Sequence, residues 1–555
     1  MDSLFSAQTR DADLATLAAA PVDLLVIGAG ITGAGIARDA ALRGIRTALL
    51  DGGDFGGGTS SRSSRLVHGG LRYLEHGWFR LVFEASRERR VLLRIAPHLV
   101  RPMAFLFPVH AGARVGRWRM AAGLWLYDLL SAFHNVHPHR TLSRRAVQKA
   151  EPRLRSQGLL GGARYYDAYC DDARLVLANA RAAHRSGALV ASYATVRSFE
   201  KASGELRGAV VDDAINGRQL TVHARVIVNA TGPWTDALRL LDDSDAEPQL
   251  RPTKGVHIAV PGHRVGNAGA LTITSPIDGR VMFILPWGDT TIVGTTDTDY
   301  VGDPGLVAPA VDDITYLLRS ANALFPDARL APNDVVAAWA GLRPLLKDGG
   351  EGTTAAVPRE HRISESTSGL LTIAGGKLTT YRAMAAELVD VVAAKLHRLD
   401  GRRVPDRAPT AAEPLPGGEV ADLELLVREL VKERVPPHVA RHLVDTYGSE
   451  AMAVANLAAR ESTLAEPVAP GVPILRAEVV HQARREMAVT VSDVMIRRTH
   501  LFHRHPGQGT EVTPVVAGLL ARELGWDAAH EAASLASYLD EVRRMRQALT
   551  PPPAS

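Results

Sequence analysis

The stretch Asp23-Leu-Leu-Val-Ile27-Gly28-Ala-Gly30-Ile31-Thr32-Gly33 is a short apolar run that breaks into a glycine-spaced turn. The run has the length and composition of a buried strand, and residues 31–42 read as an Ala-rich helix that Gly44 stops. A second apolar run over 46–50 ends on Asp51, about 20 residues beyond the first glycine, where an acid can meet a ribose. Strand, turn, helix, strand and acid in this order predict an α/β dinucleotide site rather than a plain βα turn. Gly28 permits the tight turn, Gly30 lets a pyrophosphate approach the backbone, and Gly33 lets helix and strand pack closely. Ile31 and Thr32 lie at a helix N-terminus whose N–H groups suit an anion, and Asp51 suits a ribose diol.

Segments far along the chain bear on which dinucleotide binds. A β-meander is predicted over 194–200, 206–213 and 219–223, with Val196 on its first strand and Asn216-Gly217 as a hairpin turn. A further strand, 224–230, runs through Ala230 into Thr231-Gly232. The strand 370–374 runs into Gly375-Gly376-Lys377 and opens a helix at Leu378-Thr379-Thr380. A discontinuous domain with returning strands suits FAD better than NAD. The helix after Lys377 would aim its positive end at the flavin pyrimidine, where reduction adds negative charge.

Composition excludes several classes. At 555 residues the chain is long enough for about three or four domains. Its hydrophobic share, 46%, supports a large core and argues against wholesale disorder. A single cysteine, Cys170, rules out an internal disulfide and a CxxC pair and reads as structural. A net charge of +4 gives no case for nucleic acid. Histidines 134, 137 and 139 read as a polar loop, and no cluster has metal-ligand spacing. Residues 1–21 lack a signal-type apolar core, and no run reaches the roughly 20 apolar residues of a membrane span, so a cytoplasmic protein or one lying on the cytoplasmic membrane face is expected.

Thr59-Ser60-Ser61-Arg-Ser-Ser64-Arg65-Leu-Val-His68-Gly69-Gly70-Leu71-Arg72-Tyr73-Leu-Glu resembles the FAD-dependent, quinone-linked sn-glycerol-3-phosphate dehydrogenase family. The resemblance continues at 171–179, at Asn229–Trp234, at Lys254-Gly-Val-His257, at Gly294–Asp297, at Gly341-Leu-Arg343-Pro and at Gly375–Arg382, with a weaker echo in Asp493-Val-Met-Ile-Arg-Arg-Thr499. It implies a Rossmann-like FAD domain of the D-amino-acid-oxidase/glutathione-reductase type, interleaved with an antiparallel β substrate domain and followed by an α-helical C-terminal domain. On this reading residues 22–90, 165–250 and 362–395 form the FAD domain and 91–164 and 251–361 the substrate domain. Residues 396–417 are a linker and 418–548 the helical domain. Arg65 stands where the family commonly has Lys, and Asp51 where Glu is frequent.

The implied substrate, sn-glycerol 3-phosphate, needs a cationic clamp, for which Arg343, Arg359, Lys377 and Arg72 are the candidates, with Tyr73 positioning substrate or flavin. Oxidation to dihydroxyacetone phosphate sends a hydride to flavin N5 and requires a base for the hydroxyl proton. His257 is the first candidate and His68 the second. Non-covalent FAD would meet the Thr59, Ser60, Ser61 and Ser64 hydroxyls. It would also meet His68, Gly69, Gly70, Leu71, Val196, Ala230, Thr231, Gly232 and Gly341, and then Gly376, Lys377, Leu378 and Thr379. The resemblance implies a membrane quinone as acceptor. An apolar, Trp-containing helix over 120–133 lies between Arg114, Arg117, Arg119 and Arg140, Arg144, Arg145, a pattern that suits an anionic lipid surface. An oxygen-using glycerol-3-phosphate oxidase, an amine or amino-acid oxidase of the same fold, and a flavin-binding sensor are the rivals. A homodimer is left open.

Overall fold

The computed structural model describes residues 4–70, 77–113, 116–130, 137–347 and 360–549. Two sheets carry the fold. The first runs in the order His361–Glu365, Leu371–Gly375, Arg218–Asn229, Val22–Ile27, Thr47–Leu50, Leu189–Ala191. Val22–Ile27 lies between two parallel neighbours and is buried along its length, which accounts for its unbroken apolar run. The helix Ile31–Leu42 lies against Tyr381–Asp400 so closely that a Cβ on Gly35 would sit 2.8 Å from the Tyr381 ring.

The second sheet is mostly antiparallel. Its centre is Leu250–Pro261, paired with Thr290–Gly294 on one side and Ala337–Leu346 on the other. Val281–Trp287, Ala270–Thr274, Val100–His110, Leu159–Cys170 and Leu66–Val67 extend it. Helices between Leu423 and Arg546 form the C-terminal part.

Several sequence expectations change in detail. The third meander strand and the strand over 224–230 are one continuous strand, Arg218–Asn229, whose first half pairs antiparallel with Glu205–Asp213 and whose second half joins the parallel sheet. A 3-10 turn, Leu378–Thr380, precedes the helix that begins at Tyr381. Leu66–Val67 and Leu159–Cys170 pair within the second sheet, so the sheets cross the boundaries read from sequence at 90 and 165. The stretch 396–417 is no free linker. Leu396 ends a buried helix face, Leu415 is fully buried in the first core, and Arg38 donates to the carbonyls of Thr410 and Glu413.

Candidate active site

The dinucleotide loop is built by close backbone crossings. Gly28 has φ +102°, and a Cβ there would lie 2.7 Å from the Ala230 carbonyl oxygen and 2.9 Å from Thr231 Cα. A Cβ on Gly33 would run into the Gly28 carbonyl. No side chain caps the helix at Gly30, and Ile31 N–H donates to Ser60 Oγ at 3.0 Å. Asp51 accepts from Ala29 N–H at 2.6 Å and Gly53 N–H at 2.8 Å. Burial raises its carboxyl to about 6 against these two bonds. Thr195, which the sequence reading passed over, lies 3.0 Å from a Cβ built on Gly52, beside the acid. Val196 itself packs into the core beneath the meander. A turn with no room for a Cβ at Gly28 or Gly33, a helix start with no N-cap side chain and a buried acid fit the pyrophosphate and ribose of FAD.

A cavity of about 550 Å³ lies between the two sheets. It brings together Thr59, Ser64, His68, Gly70, His257, Gly341, Arg343, Gly376, Lys377, Leu378 and Thr379. Gly28, Gly30, Ile31, Thr32, Gly33, Asp51, Ser60, Ser61, Gly69, Ala230, Thr231 and Gly232 are not on its wall. Gly69 N–H is directed to Tyr127 Oη and Asp167 Oδ1, each at 3.1 Å, and the Thr59 hydroxyl donates to the Leu342 carbonyl at 2.6 Å. Thr379 Oγ1 accepts from His68 N–H at 3.2 Å and donates to its carbonyl at 3.3 Å, joining the two glycine loops. Leu71, Arg72, Tyr73 and Arg359 lie outside the described residues, as do Arg114 and His134. His139 pairs with the buried Asp128 at 2.7 Å and meets the exposed Trp125 edge-on, so it packs against a helix rather than standing in a polar loop.

Arg343 stands on Ala337–Leu346 and donates to Asp297 Oδ1 at 3.0 Å, the Thr296 carbonyl at 3.1 Å and Thr295 Oγ1 at 3.2 Å. Any side chain at Gly255 would collide with this guanidinium. Arg280 and Arg62, both missed by sequence reasoning, also line the cavity. Arg280 Nη1 donates to the Asp297 carbonyl at 2.8 Å, and Arg62 pairs with Glu541 at 3.5 Å. The one local signal for Arg280 is its place directly after Asp278-Gly279 at the start of a strand. Among the described residues, Arg62, Arg119, Arg280, Arg343 and Lys377 line the cavity against Asp167 and Asp297, so the site favours an anion. Arg65, where the family has Lys, is buried between Asp171 and Asp172 at 3.7 Å and stacks on Trp287, away from the cavity wall.

His257 is buried, stacks on Trp339 at 5.4 Å and holds Nε2 at 2.8 Å from Ser64 Oγ. Its Nδ1 has no hydrogen-bond partner among the described residues. Gly294 on the facing strand leaves room for the imidazole, which any Cβ there would strike. Burial, then the charges of Arg343 and Arg65, push His257 down to about 3.

A family model described as "FAD dependent oxidoreductase" matches residues 23–390, and one described as "C-terminal domain of alpha-glycerophosphate oxidase" matches 408–531. A mitochondrial glycerol-3-phosphate dehydrogenase of Rattus norvegicus is 38% identical over 93% of this chain and 73% of its own length. The chain belongs to the FAD-dependent glycerol-3-phosphate dehydrogenase family. Glycerol-3-phosphate dehydrogenase 2 of Mycobacterium bovis is 37% identical over 94% of this chain and 88% of its own. The X-ray structure of the glycerol-3-phosphate dehydrogenase from Bacillus halodurans complexed with FAD superposes with a TM-score of 0.82, at 32% identity, over 99% of both chains. This family member is therefore an FAD-dependent oxidoreductase with a helical C-terminal domain.

Buried neutral histidines are expected to make the enzyme acid-labile. Burial is the largest cause of the lowered values of His98 and His257, about 3, and of His481, about 4. The unfolded chain takes up these protons near pH 6.5 and the folded chain does not, so stability is full above that pH and is lost as pH falls toward 3–4. Each group contributes about 2 kcal/mol of loss at pH 5. Calorimetry is expected to show Tm falling by several degrees between pH 7.5 and 5; an unchanged Tm would contradict this.

Proposed function

We propose that the enzyme oxidises sn-glycerol 3-phosphate to dihydroxyacetone phosphate and passes the electrons to a membrane quinone. The observation that carries the substrate is the cationic wall of Arg343, Arg280 and Lys377 beside His257 in one cavity. An arginine fork and an ammonium suit a phosphate dianion, whereas an amine substrate would be repelled. Bound FAD supplies the hydride acceptor. On this reading His257 takes the hydroxyl proton through Nε2, the nitrogen 2.8 Å from Ser64 Oγ. The imidazole is neutral in the free protein, as a base must be, and a bound dianion opposes the Arg343 charge that suppresses its proton affinity.

An apolar part of the cavity lining supports the acceptor. Phe105, Phe107, Trp78, Met120 and Leu126 make it apolar, and the last two come from the helix Arg117–Leu130. The outer face of that helix exposes Trp118 (89%), Trp125 (63%) and Leu129, and the adjoining helix Phe79–Ile95 exposes Phe79 and Phe83. Among the described residues no helix is long and apolar enough to cross a membrane. A monolayer-deep contact at the cytoplasmic face suits such a patch and would bring a lipid-soluble quinone to the apolar lobe.

Replacing Trp118 and Trp125 together by Glu is expected to weaken binding to anionic vesicles at least about tenfold while turnover with a short-chain quinone analogue persists. Unchanged vesicle binding would remove this face from the account. For the acceptor, quinone-linked turnover with little hydrogen peroxide under air is expected. Peroxide formed one-for-one with product would make the enzyme an oxidase.

A further inference from the structure

Between Asp51 and Thr59 the chain reads Gly52-Gly53-Asp54-Phe55-Gly56-Gly57-Gly58. Such a glycine-rich loop loses much backbone entropy on ordering and needs strong anchors. Its outer ends carry the cofactor groups, with Asp51 at one and Ser60, the acceptor of Ile31 N–H, just beyond the other. Its middle is held from the C-terminal domain.

Asp54 is buried and accepts from Arg497 Nε, Arg498 Nη1 and, at 2.8 Å, Arg498 Nη2. Both arginines come from the single π-helical turn Asp493–Arg498, the C-terminal motif to which the sequence reading attached no role. The turn is itself braced. Arg497 Nη2 donates to Asp493 Oδ1 at 2.9 Å, and Arg498 Nη2 also donates to the Glu486 carbonyl at 2.9 Å. Asp493 accepts from Thr490 Oγ1 at 2.7 Å and from the Tyr193 hydroxyl. Tyr193 N–H donates back to the Gly53 carbonyl at 2.9 Å, closing the network on the loop. None of Asp54, Arg497 and Arg498 lines the substrate cavity.

We propose that Arg497 and Arg498 are positioning residues for the cofactor: through Asp54 they hold the glycine loop so that Asp51 faces the FAD ribose, making FAD retention depend on the C-terminal domain. The inference rests on the reading of Asp51 as the ribose acceptor. A clamp differs from simple domain adhesion in one measurable respect, because adhesion contributes to stability and a clamp also contributes to FAD affinity.

The test compares Asp54→Asn with Glu450→Gln in the full-length holoenzyme. Glu450 pairs with Arg181 at 2.8 and 2.9 Å across the same domain contact and touches nothing in the loop. FAD affinity is read from flavin released at equilibrium, and stability from Tm. Asp54→Asn is expected to raise the FAD Kd at least about tenfold, the scale of a lost charge-assisted bond, with kcat and KM restored by excess FAD. Glu450→Gln is expected to lower Tm and leave the FAD Kd within about twofold. If Asp54→Asn does not fold, Arg497→Lys, which keeps the charge and loses Nε, takes its place. An FAD Kd unchanged in the clamp variant, or raised equally by Glu450→Gln, overturns the proposal. Asp51→Asn separates the two readings: a raised Kd there with none in Asp54→Asn refutes the clamp alone. An unchanged Kd there refutes the ribose role and, with it, a clamp that acts through Asp51, even if Asp54→Asn raises the Kd.

Discussion

Arg343→Ala is expected to lower kcat/KM for sn-glycerol 3-phosphate by about 10³-fold, the cost of unpairing a largely desolvated charge and losing a phosphate ligand together. The guanidinium is held by Asp297, Thr295 and Thr296, so its position is set before substrate arrives. Its removal leaves Asp297, whose side chain is only 9% exposed, facing a dianion with one cation fewer. Arg343→Lys keeps the charge but not the fork that reaches Asp297 and substrate together, and a partial recovery of about tenfold is expected. Steady-state kinetics decide the matter, and a loss below tenfold for the Ala variant would move the phosphate away from Arg343.

His257→Asn is expected to lower kcat by about 10²- to 10⁴-fold, the usual contribution of a positioned base. The pH dependence has a definite sign. Because burial, Arg343 and Arg65 push the free imidazole to about 3, it stays a neutral acceptor throughout the ordinary assay range. The acid limb of kcat/KM, which reports the free enzyme, should therefore show no step near pH 6.5 from this residue. The acid limb of kcat should lie higher, since the bound dianion favours the imidazolium. Gly294→Ala provides a companion test that leaves the imidazole in place: its Cβ would strike the His257 ring, and kcat should fall at least about tenfold. A kcat unchanged in both variants would pass the role of base to His68.

The parts of this enzyme legible in sequence are those set by local rules. The glycine spacing after an apolar run placed the helix Ile31–Leu42 residue for residue, because turn, helix start and strand packing are all settled within twenty residues. The apolar runs 281–285 and 291–294 around Gly288-Asp289 likewise read as a hairpin, which the structure extends to Val281–Trp287 and Thr290–Gly294. What stayed hidden depends on partners distant in the chain. Arg218–Asn229 reads as two strands because its pattern changes where it passes from a meander to a buried parallel sheet. Arg280 is one arginine among many until Asp297 brings it to the cavity. The C-terminal Arg497-Arg498 pair has no meaning without Asp54, more than four hundred residues earlier. Gly255 and Gly294 look like ordinary strand glycines until the register sets one against Arg343 and the other against His257.

The most direct test is the visible spectrum of the purified holoenzyme under anaerobic conditions, before and after addition of sn-glycerol 3-phosphate. The absorbance of oxidised flavin should bleach at once with about one equivalent of substrate, and addition of a quinone should restore it. A flavin that stays oxidised with sn-glycerol 3-phosphate but bleaches with an amine or an amino acid would contradict it.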